Sequence, residues 1–206
     1  MAGGHRQVYT SWCECTDVKP EEVLKSIEAL APRQGLPIIG PKRGRFLDEV
    51  IEAHKPSTIL EVGTLVGYSA IRMGRHLKAG QKITCVELRE DMARIARSNI
   101  NKAGLSDRIE VTVGDAMKVL PTLTGSLDMA FFDAVKEDYL AYLEHVERLL
   151  HKGSVVVADN VKSHASEVAT YLEYVRNSGG YASTYREAPP NFETGPGDAV
   201  EVSVKL

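Results

Sequence analysis

Asp133 ends the run Met129-Ala-Phe-Phe, and Asp159 with Asn160 ends the run Val155-Val-Val-Ala. Each apolar run reads as a strand buried on both faces, so an acid at its end stands where a parallel sheet opens to ligands. If the two strands are neighbours, two carboxylates and an amide oxygen converge there. Such a set repels itself unless a cation sits in it, and an all-oxygen donor set suits Mg2+ better than Zn2+. Lys136, in Asp133-Ala-Val-Lys136, is near enough to project over that point. A lysine crowded by Mg2+ and partly desolvated has its pKa pressed down, which makes it a candidate general base at neutral pH. Each residue also has a plainer reading: Asp133 as the cap of a helix starting near Asp138, Asn160 as a turn residue, Lys136 as a solvated surface lysine. It is their joint occurrence that favours a cluster.

A second set lies upstream. Ile59-Leu-Glu61-Val-Gly63-Thr-Leu65-Val-Gly67-Tyr-Ser69-Ala is a buried strand, a glycine-bearing turn and a helix start. Its glycines permit close approach of a ligand to the backbone, and the helix N-terminus favours an anion. The spacing is G-x-x-x-G rather than the G-x-G-x-x-G of dinucleotide binders, which argues against NAD or FAD. Glu87 closes the next strand, where an acid can accept both hydroxyls of a ribose, and Gly114-Asp115 follows the third. Taken singly, the glycines only close a turn and Glu87 is only a solvated strand end. Three such features at successive strand ends point to a nucleoside.

This set resembles the class I S-adenosylmethionine-dependent methyltransferases. The segments Ile59–Met73, Phe131–Leu140 and Leu149–Val161 further resemble, in order and spacing, catechol O-methyltransferase and the cation-dependent group that methylates caffeoyl-coenzyme A and related phenols. The resemblance covers Ile39 to the C-terminus. It implies S-adenosylmethionine and Mg2+ as cofactors, with Asp133, Asp159 and Asn160 as metal ligands and Lys136 as the catalytic lysine. It assigns Ile39, Glu61, Gly63, Leu65, Ser69, Glu87, Leu88, Asp115, Ala116 and Asp133 to the cofactor. Lys136, Asn160 and Glu201 fall to the substrate, Glu201 holding the second hydroxyl of an aromatic diol. Three positions depart from the animal catechol enzymes: Val135 replaces an aromatic residue, Pro37 replaces the methionine at the pocket mouth, and Ala116-Met117 replaces a polar pair near adenine.

The elements that must hold these residues alternate along the chain. Five runs rich in Val, Ile and Phe read as strands: 57–62, 82–88, 108–113, 127–133 and 154–159. Between them, Phe46, Leu47, Val50 and Ile51 share a helical face. So do Met92, Ile95 and Ala96, then Tyr139, Leu140, Leu143 and Val146, then Val168, Tyr171, Leu172 and Val175. Val23, Leu24, Ile27 and Leu30 form a separate amphipathic helix within a mostly helical extension over 1–55. The C-terminal run Ala199–Leu206 alternates without a following helix and reads as an antiparallel strand, with 181–187 as its hairpin partner. The expected fold is α/β: one Rossmann-like, doubly wound, seven-stranded, mostly parallel sheet over residues 1–206, with helices on both faces.

At 206 residues and a formal net charge of −3, the chain lacks the basic surface that nucleic acid requires, and the expected acceptor is a small molecule. No run suits a signal peptide or a spanning helix, so no membrane partner is expected. Three cysteines, with Cys13 and Cys15 too close to bridge easily, suggest a reducing, cytoplasmic setting. A monomer or homodimer is expected. Two rival readings remain: a methyltransferase of a caffeoyl-coenzyme A-like phenol or a non-catechol metabolite, and a non-catalytic nucleoside-binding module. The set of Asp133, Lys136, Asp159 and Asn160 tells against the second, because nucleoside binding alone does not need it.

Overall fold

Residues 1–18, with Cys13 and Cys15, lie outside the residues that the computed structural model describes, which are 19–191 and 197–206. Seven strands form one sheet in the order β3-β2-β1-β4-β5-β7-β6. They are β1 (Thr58–Val62), β2 (Lys82–Glu87), β3 (Ile109–Val113), β4 (Leu127–Phe132), β5 (Leu150–Ala158), β6 (Tyr181–Ala188) and β7 (Asp198–Lys205). β1 to β5 pair in parallel, and β7 lies antiparallel between β5 and β6. After β3 the chain crosses to the other side of β1, so β1 and β4 flank the switch point where open α/β sheets hold their ligands.

Side-chain alternation divides the core in two. Ile59, Ile83, Met129, Phe131, Val155, Val157, Val200 and Val202 face α1 (Pro20–Gln34), α2 (Gly40–His54), α3 (Tyr68–Gly74) and α4 (Glu90–Lys102). Leu60, Val62, Ala130, Phe132, Val156, Ala158 and Ala199 face the side covered by α5 (Ala116–Val119), α6 (Tyr139–Val146) and α7 (Ala169–Asn177). Both sets sit in strands buried on both faces, which is why the central runs read as continuously apolar.

Two helical faces are rotated from the expected ones. α1 buries Ala31 with Val23, Leu24 and Ile27, and leaves Leu30 43% exposed. α4 buries Ala93, Ala96 and Ile100, and Ile95 points outward. The small stripe on α4 goes with close packing: a Cβ on Gly67 would come within 3.3 Å of Ala96, so the turn and the helix meet at a glycine and an alanine. No helix among the described residues is long and apolar enough to cross a membrane.

Candidate active site

A cleft of about 540 Å³ opens beyond the carboxyl ends of β1, β2, β4 and β5, a size typical of a ligand site. At one end, the turn after β1 wraps the Glu87 carboxylate. Thr64 N–H and Leu65 N–H donate to its Oε2 at 3.2 and 2.8 Å, and Arg89 N–H donates to Oε1 at 3.0 Å. Leu65 takes a left-handed φ of 48° to do so, a strained position for a leucine and one concentrated at ligand sites. Gly63 has φ 88°, and a Cβ there would run into the Asp133 backbone carbonyl. That glycine therefore lets the β1 and β4 loops pack against each other, bringing the two predicted sites together.

Ile39, Gly63, Leu65, Ser69, Glu87, Leu88, Asp115 and Ala116 all line the cleft. Asp115 also caps α5, accepting from Met117 N–H at 2.9 Å. Glu61 does not line it: it points to the face under α3 and is fully buried, with the Ser69 hydroxyl donating to its Oε1. Burial pushes its carboxyl up to about 7.

At the other end of the cleft stand Asp133, Lys136 and Asn160. β4 and β5 are paired neighbours, Phe132 opposite Ala158, so Asp133 and Asp159 leave the sheet side by side. The Lys136 ammonium donates to Asp133 Oδ1 at 2.8 Å and lies 5.3 Å from the centre of the Tyr139 ring. Asn160 has φ 62°, a left-handed position that asparagine tolerates better than most residues, and its amide donates to Asp198 Oδ2 at 2.8 Å. It is thus both a turn residue and a residue of the cleft wall. Tyr139 fixes the two strand ends: its buried hydroxyl lies 3.0 Å from the Phe132 carbonyl and 3.1 Å from that of Asp159.

Asp159 is fully buried behind this wall. Desolvation, then the neighbouring Asp133 charge, raises its carboxyl well above the usual range, and Arg43 opposes the shift. Arg43 Nη2 donates to Asp159 Oδ2 at 3.2 Å and Nη1 lies 3.3 Å from Asp198 Oδ2. Arg43 Nε approaches Asp159 Oδ1 to 3.0 Å without hydrogen-bond alignment, so Oδ1 has no hydrogen-bond partner.

Glu201 is not brought to this cluster. It pairs in register with Ala158, within the sheet, and shares a face with Ala199 under α7. There its carboxylate takes both ends of the Arg176 guanidinium, at 2.8 and 2.7 Å. The residue of β7 that reaches the cluster is Asp198, three positions closer to the carboxyl edge and on the opposite face. Burial opposes its ionisation, yet hydrogen bonds from Asn160 and Ser163 hold it down to about 2. Asp198, Arg43 and Tyr139 are functional candidates that the sequence reading missed. Asp198 carried a signal, as an acid opening the last alternating run; Arg43, inside the charged stretch Lys42-Arg43-Gly-Arg45, carried none.

The donor set fits a hard cation. Asp133, Asp159 and Asn160 offer only oxygens, and a buried carboxylate oxygen without a hydrogen-bond partner is chemistry that a divalent ion satisfies. Among the described residues no three acidic, histidine or cysteine side chains form a group that could hold a metal ion, and the third predicted ligand is an amide.

Residues 16–174 match the family model described as O-methyltransferase. The chain is 33% identical over 174 residues to the catechol O-methyltransferase of Mus musculus, a match that covers 81% of this chain and 65% of that protein. To the Sus scrofa catechol O-methyltransferase it is 37% identical over 154 residues, covering 71% and 82%. Among solved structures, the O-methyltransferase from Bacillus cereus in complex with SAH superposes with a TM-score of 0.80 at 28% identity, over 89% of this chain and 90% of that one.

Proposed function

The chain belongs to the O-methyltransferase family, and from that membership we propose that it moves the methyl group of S-adenosylmethionine to one hydroxyl of a catechol-type aromatic diol, with Mg2+ at the acid cluster. The observation that carries this reading is one continuous cleft with the Glu87 loop at one end and Asp133, Lys136 and Asn160 at the other.

In this reading Glu87, held in place by three backbone N–H groups, accepts the ribose hydroxyls, and Ile39, Leu88 and Ala116 form apolar walls beside it. Ser69, anchored on the buried Glu61, orients the other end of the methyl donor. Asp133, Asp159 and Asn160 would hold Mg2+, which when bound would supply positive charge that lowers the pKa of an acceptor hydroxyl. Lys136 releases Asp133, gives up its ammonium proton to solvent, and as the neutral amine takes the hydroxyl proton at Nζ. Asp198, which accepts from the Asn160 amide, holds Asn160 in place. Holding the two reactants at near-attack distance is worth roughly 7–11 kcal/mol in well-oriented systems. Val135, 50% exposed on the cleft wall, puts an aliphatic side chain at the acceptor end.

The test is methyl transfer to a panel of catechols, simple phenols and caffeoyl thioesters, with and without Mg2+. Turnover of catechols that is lost with EDTA is the expected result; turnover of simple phenols alone would refute the diol reading. Lys136→Met is expected to lower kcat about 10²–10⁴-fold, the usual worth of a general base, while calorimetry shows S-adenosylhomocysteine still bound. An unchanged kcat would remove Lys136 from the reaction.

A further inference from the structure

Arg43 lies at the N-terminal turn of α2, and its guanidinium enters the space between Asp159 and Asp198. That turn has no cap from its own N-cap residue. Asn191, from the loop after β6, supplies one: its Oδ1 accepts from Lys42 N–H at 3.0 Å and its amide donates to the Ile39 carbonyl at 2.6 Å. The helix start that carries Arg43 is therefore pinned from a distant part of the chain. With Lys136 on Asp133, the cluster holds two cations against three carboxylates.

The contact with Asp159 is the weaker of the arrangements a guanidinium can make. An aligned fork would give two parallel N–H···O bonds to one carboxylate. Here one hydrogen bond forms at 3.2 Å, while Nε and Oδ1 are both buried without a hydrogen-bond partner despite lying 3.0 Å apart. Asp198, in contrast, is well satisfied by the Asn160 amide, the Ser163 hydroxyl and three backbone N–H groups, and it stays ionised beside Arg43. The guanidinium thus has a firm charge partner to keep and a poorly bonded one to leave.

We propose that Arg43 is a resident counter-ion of the acid cluster, which a divalent cation displaces from Asp159 while the guanidinium keeps Asp198, so that Arg43 sets the metal affinity of the site. This rests on the reading of Asp133, Asp159 and Asn160 as a metal site. It neutralises a buried carboxylate before the ion arrives, and it makes metal entry a cation exchange rather than simple addition.

Mn2+ binding, followed by the electron paramagnetic resonance signal of the free ion, tests the exchange without any turnover. Arg43→Met is expected to bind Mn2+ about tenfold tighter than the wild type, equivalent to about 1.4 kcal/mol, with Asp159→Asn abolishing binding in both backgrounds. Arg43→Lys, whose single ammonium cannot span Asp159 and Asp198 together, is expected to tighten binding less. It decides the matter should circular dichroism show the methionine variant unfolded. In the wild-type chain, the Arg43 Nε–H resonance is expected to shift in step with Mg2+ occupancy. Equal or weaker Mn2+ binding by the variants, or an Arg43 signal indifferent to Mg2+, overturns the proposal and leaves the metal site standing. Failure of the wild type and every variant to bind Mn2+ overturns the metal site itself and the proposal with it.

Discussion

Glu61→Gln isolates the cost of a charge buried under α3. Glu61 lies on β1 with no exposed surface; Ser69 donates to Oε1, and Oε2 has no hydrogen-bond partner. Desolvation, opposed by the Ser69 hydrogen bond, moves its carboxyl from the ordinary 4.5 to about 7. At about 1.36 kcal/mol for each tenfold change in proton affinity, ionising it costs the folded chain about 3 kcal/mol more than the unfolded chain. The sign follows from proton uptake: between pH 4.5 and 7 the folded chain binds more protons than the unfolded one, so stability falls as pH rises. The penalty is absent below the unfolded value and complete above the folded one, with about 2.5 kcal/mol of it accumulating between pH 5 and pH 8. Glutamine keeps the shape and an oxygen for Ser69 but has nothing to ionise. Urea unfolding of the wild type and of Glu61→Gln, at pH 5 and pH 8 without ligand, measures the difference. The buried Asp159 acts in the same direction in both proteins and subtracts out. The variant is expected to lose about 2–3 kcal/mol less than the wild type over this range. Parallel profiles, agreeing within about 0.5 kcal/mol, would refute the claim that burial penalises the Glu61 charge.

Two further outcomes follow from packing and register. Gly63→Ala forces a Cβ into the Asp133 carbonyl at a left-handed φ of 88°. A loss of about 2–4 kcal/mol in urea unfolding, together with weakened S-adenosylhomocysteine binding by calorimetry, is expected. Glu201→Gln breaks the pair with Arg176, which is 41% exposed, and is expected to cost about 1 kcal/mol, read as a fall in Tm. It leaves the acceptor KM unchanged, whereas Asp198→Asn raises it; the reverse pattern would restore Glu201 to the site.

Much of the strand pattern was legible in the sequence because a parallel sheet covered on both faces needs short, uninterrupted Val, Ile and Phe runs, and each chemical residue follows such a run directly. Asp133, Asp159 and Glu87 were readable for that reason, as strand ends. The helical faces were less so: Leu30 and Ile95 read as buried by periodicity, but the close contact of Gly67 with Ala96 rotated the stripe of α4 toward its small residues.

What the sequence determined by itself is the set of elements and the acids at their ends, since hydrophobic periodicity and turn chemistry are local properties. What only the tertiary structure decided is which polar groups meet. Side chains along a strand alternate faces, so Glu201 and Asp198, three positions apart, fall on opposite sides of β7; the register sets Glu201 opposite Ala158, the last residue of β5, and Asp198 lies beyond the end of that strand. Arg43 reaches Asp159 across 116 residues of chain, on a helix start held by Asn191. Neither meeting follows from local spacing, because both depend on how the sheet pairs and on which helix covers which face.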